Sequence, residues 1–479
     1  MTLLLCMACA ALAWDEPPKE AAAPAAIDVV SALEKTLADA IAGAEGSVVA
    51  IHRDKSDDGD ETLAVRGKTP PTRPFAPGMA RAVQVPPMDL GDMISFDFGS
   101  GVVVGDEGRI LTAFHVVKGA TRLVVKATGR QVFGAEVIAA DPRSDLAVIA
   151  PVREPGLEPP KLKPIPIGDA GKLRKGSFLV VLGNPFNAAR DGKASASWGI
   201  LSNVARRVEL DMDDFQFPRQ ASPQLPNYPT LLQLDAKLNL GMSGGAVVNM
   251  KGELVGLTTM ASSPAGFDAM AGYAIPMDRT GRRAVETLKQ GKEVEYGLLG
   301  VTSHQNNTNV VEEVTLNSPA ALGDLQRGDE IVGVNGEPVV DFDSLILAVN
   351  AYSAGDAIRL QIRRGGREIE KTIVLGKFPV KGEIIVTAPP PAWRGIRVDY
   401  FTMLPRGNIG PVEDAPAPGV VVRDVEPDSA AAQSGFKKGQ IIHQVAGKVV
   451  ANPDQFAKAV AKLTGPVTLL TDQGPVVIP

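Results

Sequence analysis

One serine of the chain lies in a setting that suits a nucleophile. Ser243 is in the run Gly-Met-Ser-Gly-Gly, and strand-like sequence follows it at once. A serine hydroxyl becomes nucleophilic when a base removes its proton, and a carboxylate that orients the base completes the arrangement. Small residues around a serine are equally typical of an ordinary turn. Ser243 is therefore a candidate nucleophile only if a base and a carboxylate accompany it.

Histidine is scarce, since the chain has four. His52 adjoins a charged stretch, His304 lies in a polar segment and His443 in a strand of a C-terminal repeat, so surface or packing roles explain them. His115 differs because it ends the hairpin-like unit "GSGVVVGDEGRILTAFHVV", which presents an imidazole at the end of a strand. His115 is the candidate base.

The candidate carboxylate is Asp145, which immediately precedes the apolar run "LAVIAPV". We expect Asp141, followed by proline, to cap its own turn, and Asp145 to point at a neighbouring side chain. The order His115, Asp145, Ser243 along the chain is the chymotrypsin order.

The elements that must position these residues are mainly β-strands. The 479 residues predict about three domains, and 49 Gly and 38 Pro predict many turns. From Phe98 to Thr259, short β-branched runs recur between turn residues, as in an antiparallel barrel or sandwich. Helical spacing predicts helices over 28–42 and 277–290. Residues 53–94 are charged and then Pro-rich, which predicts a long mobile loop.

An internal repeat follows. An offset of 111 residues superposes Ser318 on Ser429 and Gly328 on Gly439 without a gap, so one small domain is present twice. The segment between the copies ends in three prolines and predicts a semi-rigid linker. The predicted units after a signal peptide of residues 1–13 are a catalytic domain at 27–292, the repeats at 295–376 and 393–479, and the linker at 377–392.

Several classes of function are disfavoured. The net charge is -6 and basic residues are interspersed, which argues against a nucleic-acid partner. Both cysteines, Cys6 and Cys9, lie in the apolar N-terminal segment that predicts export, so the mature chain has no cysteine. The sequence has no Walker-type run and no cluster of metal ligands, and we expect no cofactor and no metal. No later apolar run reaches the roughly 18 to 20 residues of a membrane span.

The segments "GSGVVV", "ILTAFHVV", "SDLAVI", "VLGNPF", "GILSNV", "LDAKLNLGMSGGAVVNMKGELVGLTT" and "GYAIP", in this order and before two repeats, resemble the HtrA (DegP-like) family of trypsin-like serine proteases with two C-terminal PDZ domains. The resemblance covers most of the chain. It implies a chymotrypsin-like double β-barrel followed by two PDZ (α+β) domains. It also implies that His115 is the general base, Asp145 its orienter and Ser243 the nucleophile, with the backbone N–H groups of Gly241 and Ser243 as the oxyanion hole.

The resemblance further implies an ATP-independent serine endopeptidase of the periplasm or cell envelope that degrades unfolded or damaged proteins and assembles at least as a homo-trimer. Two departures accompany it. Leu240 and Met242 replace the Pro and Asn that the family has around Gly241, and residues 205–230 form a longer loop than usual. The alternative is a proteolytically inactive chaperone or peptide-binding scaffold in which these changes have disabled the site.

The PDZ resemblance assigns peptide binding to the first copy. The backbone N–H groups of Gly297, Leu298, Leu299 and Gly300 would receive a terminal carboxylate while the next strand pairs with the peptide. In the second copy, Gln440 and Ala446 replace an Asp and an Asn, which favours a structural role.

The resemblance also places a specificity pocket at Leu257, Thr258, Thr259 and Ala274. No acidic residue lies in these segments to pair with a basic side chain. We therefore expect cleavage after small or medium aliphatic residues such as Val, Ala or Ile. A peptide library measures this preference, and dominant cleavage after Lys or Arg would refute it.

Overall fold

The computed structural model describes residues 26–55, 98–153, 155–156, 158–184, 191–206, 230–262, 271–303, 308–404 and 419–479. The predicted signal peptide lies outside these ranges, as do most of the predicted loop 53–94 and of the long insertion 205–230. No helix within the described ranges is long and apolar enough to cross a membrane.

An N-terminal helix, α1 (Ala26–Ala44), leads into the first barrel and agrees with the helix predicted at 28–42. Its second half packs against the protein, because Ala40 and Ala44 are buried and Leu37 and Ile41 contact the core. Six antiparallel strands close the barrel in the order β5-β4-β1-β2-β3-β6, with a short helix α2 after β3. The elements are β1 (Val48–Lys55), β2 (Phe98–Val103), β3 (Ile110–Ala113), α2 (Phe114–Val117), β4 (Ala120–Ala127), β5 (Gln131–Asp141) and β6 (Leu146–Pro151).

A second closed barrel follows, with the strand order β10-β11-β12-β9-β8-β7. A helix, α3, ends this part and agrees with the helix predicted at 277–290; Asp278 caps it by accepting a hydrogen bond from the amide of Gly281 at 2.9 Å. The core between the barrels draws side chains from both of them and from α3, including Leu111, Leu182 and Leu288. The elements are β7 (Phe178–Gly183), β8 (Ser195–Arg206), β9 (Leu231–Leu234), β10 (Ala246–Val248), β11 (Leu254–Ser262), β12 (Ala271–Pro276) and α3 (Arg279–Lys289).

The two predicted copies fold as modules that share several elements. Ser318 and Ser429 are equivalent helix N-caps, since their hydroxyl oxygens accept from the amides of Ala321 and Ala432. The first module comprises β13 (Gly297–Leu298), β14 (Val301–Thr302), β15 (Glu313–Val314), α4 (Pro319–Leu322), β16 (Glu330–Val334), β17 (Glu337–Pro338), α5 (Phe342–Asn350), β18 (Ala357–Arg364), β19 (Arg367–Val374) and β20 (Gly376–Lys377). After β21 (Ile385–Val386), the second comprises β22 (Ile396–Tyr400), β23 (Val420–Val425), α6 (Ala430–Gln433), β24 (Ile441–Val445), β25 (Lys448–Val449), α7 (Pro453–Val460), β26 (Val467–Thr471) and β27 (Gly474–Ile478).

The segment predicted as a linker is docked on the first barrel. Ile385 and Val386 form β21, which pairs with Ala140 and Ala139 of β5. The hydroxyl of Thr387 donates to the carbonyl of Ile138 at 2.9 Å. The chain between the two modules therefore extends a sheet of the catalytic part, which its composition did not indicate.

A buried group of charges joins the modules. Lys377 is 2% exposed, and its ammonium lies 2.8 Å from Glu293 and 3.0 Å from Asp399. Arg423 of the second module also binds Glu293. Burial by itself would lower the pKa of Lys377, but the charges of Asp399, Glu293 and Glu295 outweigh it and raise the pKa. The lysine therefore stays protonated and holds three parts of the chain together.

We expect Lys377→Met to destabilise the fold by about 3 kcal/mol, because it removes the buried cation between Glu293 and Asp399 and leaves them only the more exposed Arg423. Denaturant unfolding measures the change. The matched control is Lys35→Met, which breaks the exposed Lys35–Asp39 pair and should cost no more than about 0.5 kcal/mol. Equal, small effects of the two substitutions would contradict a stabilising role for the cluster.

Candidate active site

The three candidate residues converge where the two barrels meet. His115 lies on α2, directly after β3, and Asp145 ends the turn between β5 and β6. Ser243 lies in the loop between β9 and β10 of the second barrel. The amide of Ser100, on β2, donates to the carbonyl of Ser243 at 2.7 Å and so joins the first barrel to this loop.

The carboxylate of Asp145 holds His115 in place. The Nδ1 atom of His115 lies 2.8 Å from Oδ2 and 3.0 Å from Oδ1 of Asp145, and the amide of His115 donates to Oδ1 at 3.0 Å. The side chain of Asp145 is 7% exposed, whereas that of His115 is 45% exposed. Since Nδ1 faces an acceptor, the assigned tautomer carries its proton there and leaves Nε2 free to accept one.

As predicted, Asp141 caps the turn and Asp145 points at a neighbouring side chain. Asp141 caps the turn by accepting from the amides of Arg143 at 3.2 Å and Ser144 at 3.1 Å. Asp145 adopts the left-handed region with φ 54°, and its carbonyl accepts from the amide of Phe114 at 2.9 Å. Aspartate tolerates this region better than most residues, and here it turns the carboxylate back toward His115.

Thr259 contacts two members of the group, which the sequence did not reveal. Its hydroxyl donates to Oδ2 of Asp145 at 2.7 Å, and its carbonyl accepts from the hydroxyl of Ser243 at 2.8 Å. Sequence reasoning placed Thr259 in the specificity pocket. The signal for this further role was a pair of threonines in the otherwise apolar strand "LVGLTT".

The hydroxyl of Ser243 points away from the base in this structure. It donates to Thr259, and no hydrogen bond joins it to His115 within the described ranges. Rotation of the serine side chain must break one hydrogen bond, worth about 0.5 to 1.5 kcal/mol net, before the proton can pass to an imidazole. The arrangement is that of a site at rest.

Glycines shape the loop that carries Ser243. Gly241 has φ 94° and Gly244 has φ 81°, and a Cβ atom at Gly244 would lie 2.2 Å from the carbonyl oxygen of Ser100. Within the described part of the chain, no hydrogen bond uses the amide of Gly241 or of Ser243. Both amides that were predicted to stabilise an oxyanion are therefore free of internal partners there.

Ser100 is a second residue that sequence reasoning missed. Its hydroxyl donates to the carbonyl of Gly241 at 2.7 Å and accepts from the amide of Asn184 at 2.8 Å. The bond to Gly241 fixes the peptide that lies between the two candidate oxyanion donors, the amides of Gly241 and Ser243. The only sequence signal was a serine between two glycines, which is too common to carry weight.

Met242, where the family resemblance led us to expect asparagine, is a core residue. Its side chain is 3% exposed and packs in the core of the second barrel, and its sulfur accepts from the amide of Asn239 at 3.4 Å. The methionine therefore anchors the loop by apolar contact and leaves the candidate donors in place.

The other residues predicted to line a pocket are buried. Leu257 and Ala274 are 0% exposed and lie within the two cores that serve the second barrel. Thr258 is 1% exposed; its hydroxyl donates to the carbonyl of Met242 and accepts from the amide of Gly245 at 2.9 Å. The contacts of Thr258 therefore hold Met242 and Gly245, the residues on either side of Ser243 and Gly244 in the nucleophile loop.

The predicted carboxylate-binding segment of the first module is only partly available. The amide of Gly297 donates to the carbonyl of Tyr352 at 3.0 Å, so this N–H group is already used. Gly297 and Leu298 also pair with β20, and Leu299 is 4% exposed in the module's core. Gly300 has φ 87°, which turns the chain sharply into β14.

Comparisons with known proteins agree with this architecture. The model of the trypsin-like peptidase domain matches residues 99–257, and that of the PDZ domain matches residues 297–375. The periplasmic serine endoprotease DegP of Salmonella typhimurium is 30% identical over 362 residues, which cover 72% of this chain and 67% of that protein. DegP of Escherichia coli K12 is 29% identical over 375 residues, which cover 75% and 71%. A solved HtrA-type protease, AlgW with a tripeptide, has the same fold with a TM-score of 0.51 at 24% identity, covering 72% of this chain and 98% of that one.

The environment of His115 favours its protonated form. Burial would lower the pKa of the imidazole, but the charge of Asp145 and the hydrogen bond to it outweigh burial and raise the pKa above 6.5; the nearby charge of Arg53 opposes them weakly. Burial is the largest single influence on this pKa, and only the charge and the hydrogen bond of Asp145 together exceed it.

We therefore expect His115 to titrate above 6.5, and Asp145→Asn to lower that value because it removes the negative charge. Histidine ring signals followed by NMR against pH measure both, with His115→Ala to assign the signal. A raised folded-state pKa means that the pair's contribution to stability is full below the unfolded value of about 6.5 and disappears as the pH rises through the folded value. A wild-type pKa at or below 6.5 would contradict the expectation.

Proposed function

This chain belongs to the HtrA (DegP-like) family of trypsin-like serine endopeptidases with PDZ domains, and we propose that His115, Asp145 and Ser243 carry out its reaction. The observation that carries the proposal is the hydrogen-bonded contact of the buried Asp145 carboxylate with Nδ1 of His115, beside a serine on a glycine-shaped loop. Asp145 stabilises the imidazolium that forms when His115 accepts a proton.

The proposed reaction begins when the hydroxyl of Ser243 leaves the carbonyl of Thr259 and turns to Nε2 of His115. The serine oxygen attacks the carbonyl carbon of a substrate peptide while His115 takes its proton. The amides of Gly241 and Ser243 donate to the oxygen that becomes negative. His115 then gives the proton to the leaving amine as the C–N bond breaks, and water releases the acyl group by the same steps.

The proposed substrates are segments of unfolded or damaged proteins in the periplasm, cleaved without ATP. The relatives named above are periplasmic endoproteases. A chain must be extended to lie across the junction of two barrels, which favours unfolded substrates over compact ones. The PDZ domains would bind peptide C-termini through the turn at Leu298–Gly300, with the peptide added beside β14.

We also propose that the chain assembles at least as a trimer. The first half of α1 supports this, because Ile27, Val29 and Val30 are 70%, 55% and 59% exposed. Ile27 and Val30 are three residues apart and so share a helix face, and an exposed apolar face is typical of a surface that another chain covers.

A fluorophosphonate probe tests the proposal, because it reacts with a serine only when a base activates it and donors stabilise the product. We expect labelling at Ser243. Ser243→Ala should abolish labelling and casein hydrolysis, His115→Ala should nearly do so, and Asp145→Asn should lower the rate by about 10⁴-fold. These losses should not add, since the three groups act as a unit.

The matched control is Ser197→Ala. Ser197 also lies on the second barrel and donates its hydroxyl to a main-chain carbonyl, that of Lys237 at 2.9 Å, so its loss should leave labelling unchanged. The assay is run with and without an unfolded protein and a hydrophobic C-terminal peptide. If the folded protein stays unlabelled under all conditions, the inactive scaffold becomes the better account.

A further inference from the structure

The turn that carries Asp145 is buried beneath the first PDZ domain. Its polar residues are only 0 to 7% exposed, namely Asp141, Arg143, Ser144 and Asp145. Asp145 itself is bound by groups of the two barrels, as described above. The preceding residues of the turn are bound by one side chain from the segment that enters the PDZ domain and by one side chain of the domain itself.

Tyr296, which directly precedes β13, binds the start of the turn. Its hydroxyl donates to Oδ2 of Asp141, the atom that also accepts from the amide and hydroxyl of Ser144. Tyr296 is 1% exposed. Burial raises the pKa of Asp141, while the hydrogen bonds from Ser144 and Tyr296 favour its charged form and oppose the rise. The tyrosine hydroxyl is thus one of the few donors that a buried carboxylate has.

Asn350, the last residue of α5, binds the middle of the turn. Its side-chain oxygen accepts from Nη2 of Arg143 at 3.0 Å, and Asn350 is 4% exposed. The guanidinium of Arg143 also lies 3.7 Å from the ring centre of Phe378 and 4.8 Å from that of Tyr296. A charge held between two aromatic faces and an amide oxygen has little freedom to move.

Only Ser144 separates Arg143 from Asp145. A left-handed backbone at a residue other than glycine costs on the order of 1 to 3 kcal/mol and persists where its surroundings fix it. Asp145 has this backbone, with φ 54°. Loss of an anchor at Arg143 or Asp141 would let the turn relax and withdraw the carboxylate from the imidazole.

From these contacts we infer that Tyr296, which directly precedes the first PDZ domain, and Asn350 of that domain are positioning residues for the triad, because they hold the turn that presents Asp145 to His115. The inference rests on the proposed role of Asp145. Neither residue touches the reacting atoms. The pairing of β21 with Ala139 and Ala140 of β5 fixes the same strand from a second direction.

The charged groups around the two titrating sites are few within the described ranges. His115 faces Asp145, and Arg53 donates to the carbonyl of His115 at 2.7 Å. Asp141 faces Tyr296 and Arg143, with Arg283 beyond the tyrosine ring at 5.7 Å from its centre. Tyr296→Phe and Asn350→Leu therefore change no charge that acts directly on the imidazole of His115.

The test uses the full chain with Tyr296→Phe and Asn350→Leu. Each should lower the rate of fluorophosphonate labelling and the kcat of peptide cleavage by about tenfold or more, with KM unchanged, because a small misplacement affects the reaction more than binding. Each should also lower the pKa of His115, since its carboxylate partner becomes less well placed. Asn350→Asp, which keeps an oxygen that accepts from Arg143, should restore most of the rate.

Tyr352→Phe is the matched control. It removes a tyrosine hydroxyl that binds Arg279 of α3 at 3.4 Å, on the same side of the PDZ domain but away from the turn, and should change neither the rate nor the pKa. Unchanged rates and an unchanged pKa in folded Tyr296→Phe and Asn350→Leu would overturn the inference. The inference would also be overturned if Tyr352→Phe lowered the labelling rate as much as Tyr296→Phe and Asn350→Leu do. An unlabelled wild-type protein would instead defeat the proposed function itself.

Discussion

The buried carboxylate of Asp145 is the constraint on which the site depends. A carboxylate removed from water is costly unless hydrogen bonds match its charge. Here the partners are the amide and imidazole of His115 and the hydroxyl of Thr259, so both barrels contribute. Satisfying one negative charge therefore brings the elements together and fixes the orientation of the imidazole.

The backbone of the nucleophile loop is held by several hydrogen bonds, whereas the hydroxyl of Ser243 is held by one. The backbone around Ser243 is tied to the first barrel through Ser100 and to the second through Thr258, so the loop is firmly placed. The serine hydroxyl is held by one hydrogen bond to a carbonyl. Such a bond is worth little more than thermal energy, and a bound substrate can offset its loss. The loop is therefore fixed in place, while the side chain of Ser243 needs to break only one hydrogen bond to rotate.

The C-terminal modules are joined to the catalytic part by polar and charged contacts. Lys377, Glu293 and Asp399 form one buried group that the half-buried Arg423 joins, and Arg143 binds Asn350 of the first PDZ domain. Charged contacts in a buried joint require defined geometry, because each charge is costly when its partner moves away. These contacts therefore favour one arrangement of the PDZ domains on the barrels.

The sequence by itself determined the mainly β fold, the repeat, the helices at both ends of the catalytic part and the candidate residues His115, Asp145 and Ser243. These depend on local spacing and on scarce residue types, which a linear pattern records. Only the tertiary structure decided that Thr259 and Ser100 support the site, that Met242 is a core side chain and that the segment 377–392 docks on β5. These contacts join residues far apart along the chain, and common residue types such as Ser and Met carry no local sign of them. The two threonines of "LVGLTT" mark a polar position in an apolar strand but do not identify its partners. Asn350 could not be identified from the sequence either, because its partner Arg143 lies 207 positions away along the chain.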